Sequence, residues 1–154
     1  MTELTIEEKR DTFTISTDPS KLDLDAIHDF LTRSYWSEGI PKPMVKRAIE
    51  HSLCFGLFDL EKQIGFARVV SDYTTYAYLC DVYVLESYRG KGLGTWLMSF
   101  VLKHHELQGL RRFTLLTRDA HGLYKKFNFA TMKDPSRYME IHVADIYKKS
   151  RKDD

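Results

Sequence analysis

A chain of 154 residues, 43% hydrophobic and 29% charged, has the size and composition of one folded domain rather than of a disordered or membrane protein. Its net charge of +1 gives no electrostatic basis for a nucleic-acid partner, and no apolar stretch approaches the length of a bilayer span. Residues 1–11 are polar and acidic, unlike a signal peptide, and Cys54 and Cys80 sit in apolar runs without metal-ligand spacing. A cytoplasmic protein with two small buried thiols, no metal and no membrane partner is therefore expected.

Residues 1–11 are expected to fray, after which Phe13 to Thr17 alternate as a first strand and Asp18-Pro19-Ser20 turns out of it. Leu24, Ile27, Phe30 and Leu31 recur at helical spacing, with Asp23 near the helix start. Tyr35 to Pro43 reads as a loop broken by Gly39, Pro41 and Pro43, and a short helix follows over Met44 to His51. Leu53 to Leu60, Ile64 to Ser71 and Tyr76 to Leu85 are β-rich and joined by short polar turns, the pattern of an antiparallel meander. A long helix is expected from Leu93 to Leu107, with Leu93, Trp96, Leu97, Phe100 and Val101 in its apolar stripe. Gly109 ends it and Phe113 to Thr117 forms the next strand, so this strand–helix–strand succession requires a parallel crossover. A short helix, His121 to Phe127, and two last strands near Phe129 to Met132 and Tyr138 to Val143 complete the order before a solvated tail, Lys148 to Asp154. The class is α+β, or mixed α/β, with one mixed sheet covered by helices.

The chemistry concentrates where the meander meets the long helix. Arg89-Gly90-Lys91-Gly92-Leu93-Gly94 follows a hydrophobic strand and opens a helix whose first amides have no intrahelical partner, which suits an anion such as a diphosphate. The Walker pattern fails because Gly92 follows Lys91, and the dinucleotide fingerprint fails because Gly90, Gly92 and Gly94 are evenly spaced. The hexapeptide fits the pattern Arg/Gln-x-x-Gly-x-Gly, and Leu123-Tyr124-Lys125-Lys126-Phe127-Asn128-Phe129 is similar to Leu-Tyr-x-x-x-Gly-Phe. Together, over about Leu53 to Val143, they resemble the GNAT acyltransferase superfamily, which uses acetyl-coenzyme A. The segment Ser34-Tyr35-Trp36-Ser37-Glu38-Gly39-Ile40-Pro41 resembles a subgroup of small GNAT proteins.

The resemblance implies a largely antiparallel sheet of about six to seven strands with about four helices. A parallel strand pair would splay to admit the pantetheine arm against the backbone of Val82, Tyr83 and Val84. Amides of Arg89, Gly90, Lys91, Gly92, Leu93 and Gly94, with Thr95, would cradle the pyrophosphate, and Asp119, Tyr124 and Phe127 would border the cofactor. It also admits a homodimer.

Acyl transfer to an amine needs a deprotonated nucleophile, a donor to the oxyanion and an acid for the thiolate. Resemblance gives the last task to Tyr124 and the second to a backbone amide near Val82 to Val84. The residues also allow Tyr124 to be a core aromatic with its hydroxyl at the surface. No acid occupies Phe113 to Thr117, where some members carry a glutamate, and Arg118-Asp119-Ala120-His121 replaces a frequent asparagine. Asn128 replaces the usual glycine, a change a positive φ accommodates. Asp81 interrupts an apolar run, and alternation puts it on the same face as Leu79, Tyr83 and Leu85, opposite Val82 and Val84. It reads either as the general base or as an anchor for a loop or for Arg68. Asp119 reads as a runner-up base or a helix cap, His121 as a runner-up or exposed, and His104 and His105 as partly exposed residues.

Tyr35, Trp36 and Glu38 border the acceptor by analogy and would suit a cationic amine, although Trp36 also reads as a core plug. Tyr73 and Tyr76 could face the same side. The residues thus allow an acetyltransferase acting on a small-molecule or peptide amine by direct attack, since no cysteine is placed as an acyl carrier. As a second reading they allow a non-catalytic coenzyme A-binding module, and they leave the acceptor unnamed.

Overall fold

A computed structural model describes residues 4–148. The sheet has the order β1-β2-β3-β4-β5-β6. Its strands are β1 (Glu7–Arg10), β2 (Phe13–Ser16), β3 (Leu53–Asp59), β4 (Lys62–Ser71), β5 (Tyr76–Val84) and β6 (Arg112–Leu115). The β5–β6 pair is parallel and the others antiparallel, as a meander followed by a helical crossover requires. The α-helices are α1 (Leu24–Thr32), α2 (Lys42–Glu50), α3 (Leu93–Lys103) and α4 (His121–Lys125).

Each face of the sheet buries one helix pair. Ile27, Phe30 and Leu31 of α1 and Val45 of α2 close over Phe66 and Tyr83. On the opposite face Trp96, Leu97, Met98, Phe100 and Val101 of α3 and Tyr124 of α4 pack on Ile15, Phe55, Ala67, Val69 and Leu79. Asp23 caps α1 by accepting from the Ala26 amide at 3.0 Å. The Asp23 amide donates at 2.7 Å to Gln63, a buried side chain that in turn donates to the Gly65 carbonyl. This pins the start of α1 to β4. Helix α2 begins two residues before the expected Met44, with Pro43 in its first turn, where a missing N–H costs no hydrogen bond.

Three departures from the sequence expectation have local causes. Residues 7–10, expected to fray, form an edge strand: Trp96 donates its indole N–H to Glu8 at 3.0 Å, and Arg10 lies 4.8 Å from the centre of its ring. Helix α3 stops at Lys103 instead of continuing to Leu107, and a 3₁₀ turn spans His105–Leu107. There Gln108 donates to the carbonyls of Leu102 and His104, ending the helix four residues early. The two expected last strands do not form among the described residues. Phe129 to Val143 carries only a 3₁₀ turn at Pro135–Arg137, and Met139 and Ile141 are 91% and 99% exposed. Alternation alone forms no ladder where the apolar positions have no face to cover. Lys148 pairs with Glu38 and Asp145, and the rest of the expected tail lies outside the described residues.

His104 is buried, not partly exposed. Its Nδ1 accepts from the Glu106 amide at 3.1 Å, and its ring sits edge-on to Phe55. Burial first, and then His105 stacked on it, push its pKa below the usual histidine value. A depressed folded pKa means that the stabilisation is complete above the unfolded value, about 6.5, and is lost as pH falls. The midpoint of thermal unfolding should therefore drop by a few degrees between pH 7.5 and 5.5, and His104→Gln should flatten that slope.

Candidate active site

The pairing of β5 with β6 runs from Tyr76 opposite Arg112 to Leu79 opposite Leu115 and then stops. Strand β5 continues to Val84, held on its other side by β4 through Phe66 opposite Tyr83 and Gly65 opposite Val84. The backbone of Val82 to Val84 is thus without a ladder partner toward β6. The expected split of the parallel pair is present.

A bulge sets the side chains at this point. Asp81 and Val82 together stand opposite Ala67, and Asp81 has φ +53°. Unbroken alternation would have put Leu79 and Tyr83 on one face. The extra residue instead sends Leu79, Val82 and Val84 to the α3 side and Tyr83 to the α1 side, where it stacks on Phe30 at 3.9 Å. Asp81 shares the face of Tyr83 but not that of Leu79. The buried Tyr83 side chain leaves only backbone to offer a ligand in the split.

Beyond β5 a turn leads into α3. Gly90 and Gly92 take φ +80° and +77°, a region that side chains with a Cβ rarely enter, and a Cβ on either or on Gly94 would meet nothing within 4 Å. Gly92 occupies the cap position without any side-chain cap, and the first helical bond runs from the Trp96 amide to the Gly92 carbonyl. The amides of Leu93, Gly94 and Thr95 therefore have no partner among the described residues at the positive end of the helix. They open on a cleft of about 240 Å³, bordered also by Val84, Arg89, Gly90 and Leu123. Arg89 donates from Nε to the Val84 carbonyl at 3.0 Å, joining the turn to the open end of β5. Lys91 lies 5.5 Å from the centre of the Tyr88 ring, and neither cation has a carboxylate partner among the described residues. Tyr88 and Leu123 line this cleft although sequence reasoning did not select them; Tyr88 was within the same run of residues.

Helix α4 carries Tyr124, which is 9% exposed and packs edge-on to Phe129. Asn128 has φ +70°, so it performs the turn expected of the glycine it replaces. The Tyr124 hydroxyl makes no hydrogen bond among the described residues. Burial, with a smaller contribution from the Tyr35 phenol, raises its pKa, so it is protonated at neutral pH. Phe127 packs into the α3-side core, and Asp119 and His121 are exposed. The cap position of α4 is Ala120, whose amide is held by Thr117 Oγ1, so Asp119 caps nothing.

On the α1 side, Asp81 accepts from Arg68 Nε and from the Trp36 indole N–H, both at 2.8 Å. Arg68 also donates to Ser52 Oγ at 3.0 Å. Trp36 is 41% exposed and is no core plug: its ring leans on Phe30 and meets Tyr35 edge-on at 5.0 Å. Arg118, from the β6–α4 connection, lies 3.8 Å from the centre of the Tyr35 ring. Glu38 is exposed and paired with Lys148 at 2.9 Å. Tyr73 borders a separate hollow with Ile49 and Ser52, and Tyr76 shares a hydrogen bond with Thr114 on β6. Burial pushes the thiols of Cys54 and Cys80 up to about 12, far from thiolate character.

The chain has counterparts among known proteins. Residues 23–129 match the acetyltransferase (GNAT) family. A GNAT-family protein from Xanthomonas campestris pv. campestris superposes with a TM-score of 0.86 and 49% identity, over 88% of this chain and 96% of that one. FG08082 of Gibberella zeae, an acetyltransferase-family protein, is 32% identical over 140 residues, spanning 76% of this chain and 78% of its own. A Clostridium acetobutylicum protein solved with acetyl-CoA shares the fold, with a TM-score of 0.60 and 15% identity over 90% of this chain and 96% of that one. The chain belongs to the acetyltransferase (GNAT) family and is by class an acyltransferase. Among the described residues no helix is long and apolar enough to cross a membrane.

Proposed function

We propose that this enzyme transfers acetyl from acetyl-coenzyme A to a primary amine by direct attack within a ternary complex. The observation that carries this reading is the junction itself: a strand edge left open at Val82 to Val84 leads straight to unpaired amides at Leu93 to Thr95. An extended amide-bearing arm ending in a diphosphate fits such a surface, the arm as an added strand and the diphosphate on the helix terminus. The room in front of Gly90, Gly92 and Gly94 and the unpaired Arg89 and Lys91 agree with that placement.

Bound acetyl-coenzyme A supplies the thioester carbonyl that the amine attacks, with cleavage of the carbon–sulfur bond. Backbone N–H groups at Val82 to Val84 hold the developing oxyanion. Tyr124 donates its phenolic proton to the departing sulfur and is restored from solvent. The amine proton leaves to solvent, and Tyr35 and Trp36 border the path by which the amine enters. Cys54 and Cys80 take no acyl group, since buried thiols with raised pKa values are poor nucleophiles.

Coenzyme A and acetyl-coenzyme A should each raise the thermal midpoint, with about 2.7 kcal/mol of added stability at one hundred times Kd. Release of free thiol across a panel of primary amines tests the transfer. Stabilisation without thiol release from any amine would instead establish a binding module, and no stabilisation would remove the cofactor assignment.

A further inference from the structure

We infer that Arg118 selects acceptor amines that also carry a carboxylate, so that the substrate class is amino-acid-like rather than polyamine-like. This deepens, and rests on, the amine acetylation proposed above. Several of the acids around Tyr35 and Tyr124 already have partners. Asp81 is ion-paired with the half-buried Arg68 through one carboxylate oxygen and accepts from Trp36 at the other. Glu38, which the sequence offered as the partner of a cationic amine, is taken by Lys148, and Glu86 is taken by Arg33. Arg118 has no carboxylate partner and no hydrogen-bond partner among the described residues.

The placement of that cation is specific. Its guanidinium carbon lies over Tyr35, 3.8 Å from the ring centre, and Tyr35 is edge-on to Trp36, which Asp81 holds. A guanidinium seated on an aromatic ring has lost part of its rotamer freedom while its N–H fork stays available, the preorganised state for a bidentate carboxylate. The contact also joins the α1–α2 loop to the β6–α4 connection, beside the helix that carries Tyr124. Asp119, next to Arg118 and exposed, also makes no ion pair among the described residues, so it is the guanidinium fork seated on Tyr35, not the net charge of the rim, that favours a carboxylate. A guanidinium there also favours the neutral form of a nearby amine, the form that attacks.

Thiol release should be measured with α-amino acids and with the matching carboxamides, at equal concentrations of free amine. The wild-type enzyme should prefer the carboxylates by at least about tenfold in kcat/KM, through KM. Arg118→Met should abolish that preference and Arg118→Lys should restore part of it. Equal use of both members of each pair, or Arg118→Met lowering kcat with the preference intact, would overturn the inference while leaving acetyl transfer standing. If no amine releases thiol, saturation-transfer NMR of phenylalanine and phenylalaninamide with the coenzyme A-loaded protein decides the matter independently. Carboxylate-dependent binding that Arg118→Met removes supports the selection, and binding of neither compound, or of both alike, rejects it.

Discussion

Tyr124→Phe is expected to lower kcat by about 100-fold while changing KM for acetyl-coenzyme A by less than about twofold, because the hydroxyl acts on the leaving sulfur and holds nothing in the ground state. The hydroxyl has no hydrogen-bond partner among the described residues, and the ring keeps its contact with Phe129 in the variant, so stability should scarcely move. That separates chemistry from folding: a loss of kcat with an unchanged thermal midpoint is the predicted pair of results. The raised phenol pKa also gives a pH signature. The protonated phenol is the active form, so kcat should hold through neutral pH and fall only in the alkaline range, and Tyr124→Phe should lack that alkaline fall. Full kcat in the variant would dismiss Tyr124 as the acid.

The second large effect concerns Asp81. Sequence reasoning offered two roles, base or anchor, and the structure shows what an anchor would hold: one oxygen accepts from Arg68 and the other from Trp36. Asp81→Leu should cost about 3 kcal/mol, because Arg68, only 19% exposed in its side chain, is left charged without its partner. The double variant Arg68→Met with Asp81→Leu should recover most of that loss, since removing both charges leaves no unpaired ion. Thermal or denaturant unfolding of the four proteins of the cycle measures the coupling. Activity then distinguishes the roles: the double variant regains part of its turnover if Asp81 is an anchor and stays inactive if it is the base.

The glycine turn proposed to hold the diphosphate was the part of the candidate site whose backbone was most legible in sequence. Gly90, Gly92 and Gly94 at the mouth of an apolar helix state a backbone requirement, and the positive φ angles at Gly90 and Gly92 meet it locally. The meander and the crossover were equally readable, since strand alternation and helical periodicity belong to neighbouring residues. Asp23 as the start of α1 and Asn128 as the substitute for a glycine follow from the same local logic.

The acceptor half was not legible, and the reason is distance along the chain. The Trp36–Asp81 bond joins residues 45 apart, and the Arg118–Tyr35 contact links loops from opposite faces of the sheet. Glu38 looked available until Lys148 was seen beside it. The bulge at Asp81 is a further case: one residue of register reverses which side chains face which layer, and nothing in Tyr78 to Leu85 announces it. The expected final strands failed for a related reason, because alternation records the capacity to pair but not whether a face exists to be covered.

What the sequence determined by itself was therefore the order of elements from β2 to α4 and the glycine turn before α3, both written in contacts within a few residues or in a backbone conformation that only certain residues adopt. What the tertiary structure alone decided was the charge state of the acceptor rim, which acids are neutralised and which cation is left. Electrostatic pairing depends on separation in space, and long-range packing brings those charges together without regard to their place in the chain.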